Sequence, residues 1–244
     1  MERLRRFLRS VDGGSYKALK GLTGSYAFPN FRLEVDHVQG DPFAAPSRLS
    51  LFVAMEEAGF PHALRDTPTR RTACEDYLGR AVARAMGRHV RGGRGSGHSG
   101  EMGIATNGQQ VLVRNAVLLH EQTVEARITL GLPARGRRVA GREAEAMFFD
   151  ELPKVVADGL FFANLSGEEL AAHVDAVEDQ ESLRAWLAEE GLTSFVADGA
   201  VLPRRSGIDD RPLADEAVPF QAPQSLARTV ELPHAGPIRG MALP

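Results

Sequence analysis

A glycine-rich segment with the sequence GGRGSGHSG, residues 92–100, has nearly the spacing of a phosphate-binding loop. Gly92, Gly97, His98 and Ser99 fall on the pattern G-x-x-x-x-G-K-[ST], with His98 where the lysine belongs. In such a loop, backbone N–H groups hold the phosphates and the lysine reaches the outer ones. Histidine is shorter and mostly neutral at pH 7, so it is a poor substitute for the lysine.

The elements predicted around this loop are in the wrong order for an ATP site. A phosphate-binding loop joins a strand to a following helix, whereas here a helix enters the loop and EMGIATNGQQVLV leaves it as a strand. We therefore predict no autonomous ATP site. The alternatives are a flexible helix-to-strand connection and an anion-binding nest, in which successive glycine N–H groups face one anion beside Arg91 and Arg94.

Two sets of arginines have spacings suited to binding phosphate groups. The first arginine set lies four residues apart on a predicted helix and continues into the glycine loop; it comprises Arg80, Arg84, Arg88, Arg91 and Arg94. The second arginine set links a predicted strand to a helix start near residue 140; it comprises Arg135, Arg137, Arg138 and Arg142. Guanidinium forks beside a helix N-terminus are suited to phosphate, so we predict anion binding, with solvated loops as the alternative.

A third segment, LPRRSGIDDRPL at residues 202–213, mixes basic and acidic residues. It is either a second phosphate contact or a loop closed by salt bridges. A nucleotide or phosphometabolite site, holding magnesium as well, would combine this segment with the glycine loop. The residues of that alternative site are Gly95, Ser96, Gly97, His98, Ser99, Arg204, Arg205, Asp209 and Asp210.

Length and composition are those of an ordinary globular protein. The 244 residues are 43% hydrophobic and 25% charged, with a formal net charge of -3. No apolar run approaches the roughly 18 residues of a membrane span, and the N terminus lacks the apolar core of a secretory signal. The single cysteine, Cys74, fits a reducing compartment, so we expect a cytoplasmic protein without a membrane partner.

Charge is distributed unevenly along the chain. Residues 65–94 carry eight arginines against three acids, whereas residues 150–190 carry eleven acids against one lysine and one arginine. One face should therefore be basic, which suggests an anionic partner. Only three of the 29 basic residues are lysines, so a compositional bias toward arginine is the alternative. Neither a nucleophile elbow nor zinc-ligand spacing occurs, so we predict no catalytic residue and no metal site.

The elements that must position these groups mix strands with helices. Alternating apolar residues predict strands at 31–38 and 48–55, and apolar residues at three/four spacing predict a helix from an N-cap at Thr67 to about residue 90. Helical patterns predict a small helical subdomain at about 140–192, with separate helices over 166–179 and 181–191. We therefore predict a mixed α/β (α+β) fold with a mixed or largely antiparallel sheet and packed helices. Further strands are predicted at 109–121, 123–132, 193–203 and 225–232.

Four segments carry a family resemblance, in order from about residue 12 to the end: GSYAF, DHVQGDPFAAPSR, GLPARGRR and FVADGAVLPRRSGIDDRPL. Together they resemble the amino-terminal half of the predicted ABC-class ATPase family. The glycine loop of that family usually ends in Gly-Ser-Gly-Lys-Ser-Gly, so His98 is a departure. The final segment, ELPHAGPIRGMALP, resembles the stretch that leads into the family's ATP-binding cassette.

The resemblance implies that residues 1–244 form an accessory domain beside an ATP-binding cassette supplied in cis or in trans. We expect the cassette to be absent from this chain, so that ATP and magnesium would bind only with the cassette and the chain alone would not be an enzyme. From the arginines we predict noncatalytic binding of an RNA or DNA backbone. The alternatives are the nucleotide site described above and a pure docking domain for an ATPase partner.

Overall fold

The computed structural model describes residues 1–209, 211–213 and 217–244 of the chain. These residues divide into two compact units, Met1–His173 and Val174–Pro244. Helices and antiparallel sheets occur together, which confirms the predicted mixed α/β fold class. In the part of the chain that the structure describes, no helix is both long enough and apolar enough to span a membrane.

The first unit is built on a six-stranded antiparallel sheet. The strands are β1 (Gly24–Ala27), β2 (Arg32–His37), β3 (Ser47–Ala54), β4 (Met102–Ile104), β5 (Val117–Leu119) and β6 (Thr123–Leu130). Their order is β1-β2-β3-β6-β4, and β5 also pairs with β6. Side chains alternate along each strand, so Leu33, Leu51 and Ile128 are buried on one face. The strand predicted over 109–121 is much shorter than expected, since only β5 forms within it.

Four short helical segments lie within residues 1–64. The first helix buries Leu4 and Leu8, which are four residues apart and so lie on one face. A 3-10 helix follows and buries Tyr16, Leu19 and Leu22. These segments are α1 (Glu2–Ser10), the 3-10 helix Tyr16–Leu22, α2 (Met55–Ala58) and the 3-10 helix His62–Leu64.

The longest helix of the first unit, α3 (Pro68–His89), has the predicted start. The side chain of Thr67 accepts the N–H of Arg70 at 3.1 Å, and Pro68 occupies the first helical position, where no N–H is needed. Its buried face carries Cys74, Leu78 and other residues at three/four spacing. The helix ends directly before the glycine loop, as predicted.

A tight hairpin and a continuous helical stretch follow β6. The hairpin pairs β7 (Ala134–Arg135) with β8 (Arg138–Val139). Helix α4 (Gly141–Ala146) then passes through a π-helical turn, Met147–Glu151, into α5 (Leu152–Leu160), which packs against α3. Pro153 does not break this stretch, which continues through it directly after the π-helical turn.

The boundary between the two units falls within α6 (Gly167–Glu189). The sequence predicted two helices here, but no glycine or proline interrupts residues 168–189 and the helix is continuous. Its predicted start is correct, since Ser166 Oγ accepts the N–H of Glu169 at 3.2 Å. The 3-10 helix Phe162–Asn164 precedes it. The helical subdomain at 140–192 stays a prediction.

The second unit contains a three-stranded antiparallel sheet made of β9 (Ser194–Ala197), β10 (Ala227–Leu232) and β11 (Gly236–Leu243). The strand order is β10-β11-β9. The predicted strand–turn–strand over 193–203 yields only β9, because its second half bonds to Phe220 instead. The sequence did not predict β11, which pairs with β10 as a hairpin.

Candidate anion-binding surface

The glycine-rich segment 92–100 bonds to other parts of the backbone. Several of its amides donate to backbone carbonyls at 2.8–3.2 Å, among them the carbonyls of Pro42 and Ala134. Those N–H groups are therefore not available to a shared anion. The donors are Arg94, Ser96, His98, Ser99 and Gly100.

Close backbone packing explains why this region needs glycine. Gly97 has φ +59°, and an added Cβ there would overlap the carbonyl oxygen of Pro42. An added Cβ at Gly131 would overlap the carbonyl oxygen of His98. A side chain at either position would push the loop off its neighbours, so these glycines have a structural role.

The two side chains at the lysine and serine positions of the pattern also have protein partners. His98 Nδ1 lies 2.7 Å from a carboxylate oxygen of Glu101. Ser99 is buried, and its Oγ donates to the carbonyl of Ser96 at 2.5 Å and accepts the N–H of Ala134 at 3.0 Å. The segment thus closes on itself and on β7.

The first arginine set faces protein acceptors at several positions. Arg80 bonds to both oxygens of Asp76, at 2.6 and 3.3 Å, and to the carbonyl of Gly108. Arg88 lies 3.1 Å from Asp158, and the guanidinium of Arg84 lies 5.4 Å from the ring centre of Tyr77. Most of the positive charge counted in the sequence is therefore already matched by acidic or aromatic side chains.

Arg94 departs most clearly from the role predicted for the first arginine set. Its side chain is only 5% exposed and forms ion pairs with Glu143 and Glu151. This buried bridge ties the glycine loop to α4 and to the π-helical turn. Arg94 cannot reach a phosphate in solvent from this position, so it does not belong to an anion-binding surface. Arg91 is exposed, and its N–H lies 3.4 Å from Glu151.

The second arginine set lies on the β7–β8 hairpin and at the start of α4. The two-residue turn of the hairpin consists of Gly136, with φ +61°, and Arg137, whose side chain is 82% exposed. The turn is held by Ser96 Oγ, which accepts the N–H of Gly136 at 2.9 Å. Arg135, Arg138 and Arg142 are also exposed. The glycine loop therefore serves as a scaffold for an arginine-bearing hairpin.

Some members of the second set have partners as well. Arg137 lies 3.1 Å from Asp41, and Arg138 donates to the carbonyl of Gly13 at 3.1 Å. Among the described residues, no carboxylate lies within ion-pair distance of Arg135 or Arg142.

The N-terminal amide of α4 is not open for an anion. Asp12 accepts the N–H of Gly141 at 2.7 Å, so a carboxylate of the protein caps this end of the helix. An anion bound by the predicted combination of helix N-terminus and arginine fork would compete with Asp12 for this amide, and that combination stays a prediction. The groups of the second arginine set that are exposed to a ligand are therefore its guanidinium groups.

Two adjoining clefts extend the second arginine set toward α1. One, of about 520 Å³, is lined by Arg135, Arg138 and Arg142. The other, of about 660 Å³, shares Arg142 and adds Arg5 and Arg9. Sequence analysis did not select the α1 arginines. Their four-residue spacing beside the buried Leu4 and Leu8 was the signal that could have identified them.

Acidic residues line the same clefts and fix some of the arginines. Arg9 bonds to Glu145 at 2.9 Å, and Arg5 lies over the ring of Phe149 at 4.5 Å from its centre. Asp12 belongs to both clefts. Arginines and carboxylates are thus mixed on this surface, and arginines outnumber carboxylates in the cleft beside the β7–β8 hairpin.

The third segment carries an ion pair between residues two positions apart. Arg211 bonds to Asp209 through two nitrogens, at 2.9 and 2.6 Å, and these hydrogen bonds hold the pKa of Asp209 below its usual value. Arg204 and Arg205 are exposed, and Asp210 lies outside the described residues. This segment belongs to the second unit, whereas the glycine loop belongs to the first.

Comparison with protein families agrees with the sequence segments noted above. Residues 1–163 match the family model described as the N-terminal region of ATPases of the ABC class, and residues 166–244 match the model described as the P-loop domain of the ABC ATPase. Residues 166–244 contain no G-x-x-x-x-G-K-[ST] sequence. A search of curated proteins found no match. Since the first model covers most of the chain, the protein belongs to the ABC-class ATPase family, and its residues 1–163 are the N-terminal region of that family.

Proposed function

We propose that this chain acts as an accessory region of an ABC-class ATPase and binds the phosphate backbone of RNA or DNA through its second arginine set. The observation that carries the proposal is the exposed turn of the β7–β8 hairpin, with Arg137 at its tip and exposed arginines on both sides. Two clefts continue this surface to Arg5 and Arg9.

Guanidinium groups on a protruding hairpin suit a repeating phosphate ligand. Each group can donate two parallel hydrogen bonds to phosphate oxygens, and neighbouring groups meet successive phosphates along one strand. Such contacts give affinity without sequence specificity. The carboxylates in the adjoining clefts reduce the local positive potential, so we expect modest affinity that depends strongly on salt.

The test compares fluorescence anisotropy of a labelled single-stranded RNA at about 50 and 200 mM salt, for the parent chain and two triple variants. The first variant is Arg135→Ala, Arg137→Ala and Arg142→Ala, which leaves the anchored Arg138 in place. The matched control removes exposed members of the first set: Arg84→Ala, Arg88→Ala and Arg91→Ala. We expect the slope of log K against log salt to fall by about 0.7 for each lost phosphate contact in the first variant only.

Three results would contradict the proposal. One is an unchanged slope in the variant of the second set, and another is an equal loss in the control variant. The third is displacement of the RNA by ATP, because that would place a nucleotide, rather than a backbone, on the same surface. A labelled DNA strand of the same length distinguishes a preference for RNA from general backbone binding, since only RNA offers 2′-hydroxyl groups.

A further inference from the structure

The turn of the β10–β11 hairpin brings a histidine to two carboxylates of α6. His234 Nε2 lies 2.8 Å from Glu178 Oε2, and Nδ1 lies 3.7 Å from Asp175 Oδ1. One ligand atom from each residue lies within 4.8 Å of the others. From this geometry we propose a binding site for a divalent transition-metal cation of the zinc class, formed by Asp175, Glu178 and His234.

The two carboxylates are correctly spaced for a shared ligand. Asp175 and Glu178 are three residues apart, so they lie on one face of the helix, one turn apart. His234 comes from the hairpin, 56 residues after Glu178. This long separation explains why no metal-ligand spacing was visible in the sequence.

A neighbouring carboxylate holds the hairpin turn in place. Asp179 is buried and accepts the N–H groups of His234 and Ala235, at 2.9 and 3.0 Å. Gly236, with φ +67°, completes the turn before β11. The backbone of the histidine is therefore fixed independently of its ring, which reduces the entropy cost of closing a site around a cation.

Ligand type and spacing favour zinc over magnesium. Imidazole nitrogen with carboxylate oxygen suits zinc, whereas magnesium prefers oxygen ligands alone. Two atoms bound at about 2.0–2.1 Å to a tetrahedral zinc lie about 3.3 Å apart. One ring nitrogen of His234 and one oxygen of each carboxylate lie within 4.8 Å of one another, so side-chain rotations can bring the three atoms to that separation. The three residues leave the fourth position to water or to a ligand.

This arrangement differs from the other histidine pairs of the chain. His89, His98, His120 and His173 each lie within ion-pair distance of one carboxylate. His234 lies within ion-pair distance of two carboxylates, one on the side of each ring nitrogen. Among the described residues, this is the one cluster with three such ligands.

The experiment measures Zn²⁺ binding to the metal-stripped full chain by isothermal titration calorimetry, with Mg²⁺ as the comparison ion. Variants are His234→Ala, the isosteric Glu178→Gln, and the control His98→Ala, which removes a histidine of a two-residue pair. We expect one Zn²⁺ per chain, a loss of at least about tenfold in affinity for the first two variants, and none for the control. Circular dichroism checks that each variant is folded.

The ring of His234 gives a second readout. Zinc should shift the ring-nitrogen signal of His234 in a long-range ¹H–¹⁵N NMR spectrum and leave that of His98 in place. Equal zinc affinity in His234→Ala and the parent chain would overturn the proposal, and so would an equal loss in His98→Ala. Magnesium binding as tight as zinc binding would overturn the assignment to a transition metal.

Discussion

The two arginine sets were both predicted to bind phosphate, but the structure gives them different surroundings. In the first set, Arg80, Arg88 and Arg94 lie against carboxylates of neighbouring helices or of their own helix. In the second set, Arg137 extends from a hairpin turn with most of its side chain in solvent. An arginine can thus stabilise a fold or present charge to a ligand, and the residue type alone does not distinguish the two roles.

The difference depends on what the fold places opposite each guanidinium. Glu143 and Glu151 lie 49 and 57 residues from Arg94 along the chain, and only the packing of the glycine loop on α4 and the π-helical turn brings them together. Most of the second arginine set lies on the β7–β8 hairpin, where few acidic side chains lie near the guanidinium groups. Buried arginines are expected to contribute to stability, and exposed arginines to binding.

The largest predicted effect is that of Arg94→Ala. This variant leaves Glu151 buried without its cation, and uncompensated buried charge typically costs about 3–5 kcal/mol. Urea unfolding monitored by circular dichroism should show this loss. The double variant Arg94→Ala with Glu151→Gln should recover part of the lost unfolding free energy, because both charges of the buried pair are then removed.

Arg88→Ala is the matched control for that variant. Its side chain is 55% exposed and its ion pair with Asp158 faces solvent, so its removal should cost less than about 1 kcal/mol. Equal destabilisation by Arg88→Ala and Arg94→Ala would contradict the distinction between a buried and an exposed arginine in the same set.

Local sequence patterns predicted much of the fold. The N-cap at Thr67 with Pro68, the strands β2 and β3, and the helix start at Ser166 all depend on residues within a few positions of one another. Those elements are found within one or two residues of their predicted ends. The family resemblance was likewise carried by contiguous segments, and the family models confirm it.

Features that depend on tertiary contacts were not predicted. Glycine loop 92–100 resembles a phosphate loop in composition, but its glycines serve close backbone packing against Pro42 and β7. The capping of α4 by Asp12 joins residues 129 positions apart. No pattern in the local sequence reports such a contact, so the sequence could not show that these amides of the glycine loop and of α4 bond to the protein itself.

The role of the loop as a scaffold is tested by Gly131→Ala. The added methyl group would overlap the carbonyl of His98, so we expect a loss of about 1–3 kcal/mol in unfolding free energy. The RNA affinity should fall too, because the loop carries the second arginine set through Ser96 and Gly136. Urea unfolding and the anisotropy assay measure the two effects.

Gly87→Ala provides a control of opposite sign. Gly87 lies in α3 between two members of the first arginine set, and nothing lies within 4 Å of an added Cβ. Alanine favours the helix, so this variant should gain about 0.5–1 kcal/mol. A stabilised Gly131→Ala variant would refute the close packing that explains the glycine-rich sequence.

A smaller effect concerns acid stability and Asp76, the partner of Arg80. Burial raises the pKa of Asp76, but hydrogen bonds and charges of His173 and Arg80 outweigh it, so the pKa lies below its ordinary value of 3.8. A carboxyl group with a lowered pKa stabilises the fold above its unfolded-state value, and this contribution is lost as the pH falls through the folded-state value.

The difference in unfolding free energy between the parent chain and the Asp76→Asn variant should therefore become smaller as the pH falls. Urea unfolding at about pH 5 should show the parent chain as the more stable of the two, and at about pH 3 the difference should be smaller. A difference in unfolding free energy that is constant over this range would indicate that His173 and Arg80 do not lower the pKa of Asp76. It would contradict the conclusion that carboxylates neutralise the first arginine set.

The smallest stability effect is expected at the tip of the hairpin, where Arg137→Ala should change the unfolding free energy by less than about 0.5 kcal/mol. Its ion pair with Asp41 is exposed on the arginine side, so solvent replaces it at little cost. The same variant should reduce the salt slope of RNA binding by about 0.7, because one phosphate contact is lost. This combination, a neutral effect on stability with a measurable effect on binding, is the reverse of that expected for Arg94→Ala. A variant that loses stability and keeps its salt slope would place Arg137 with the buried arginines and remove the difference between the two sets.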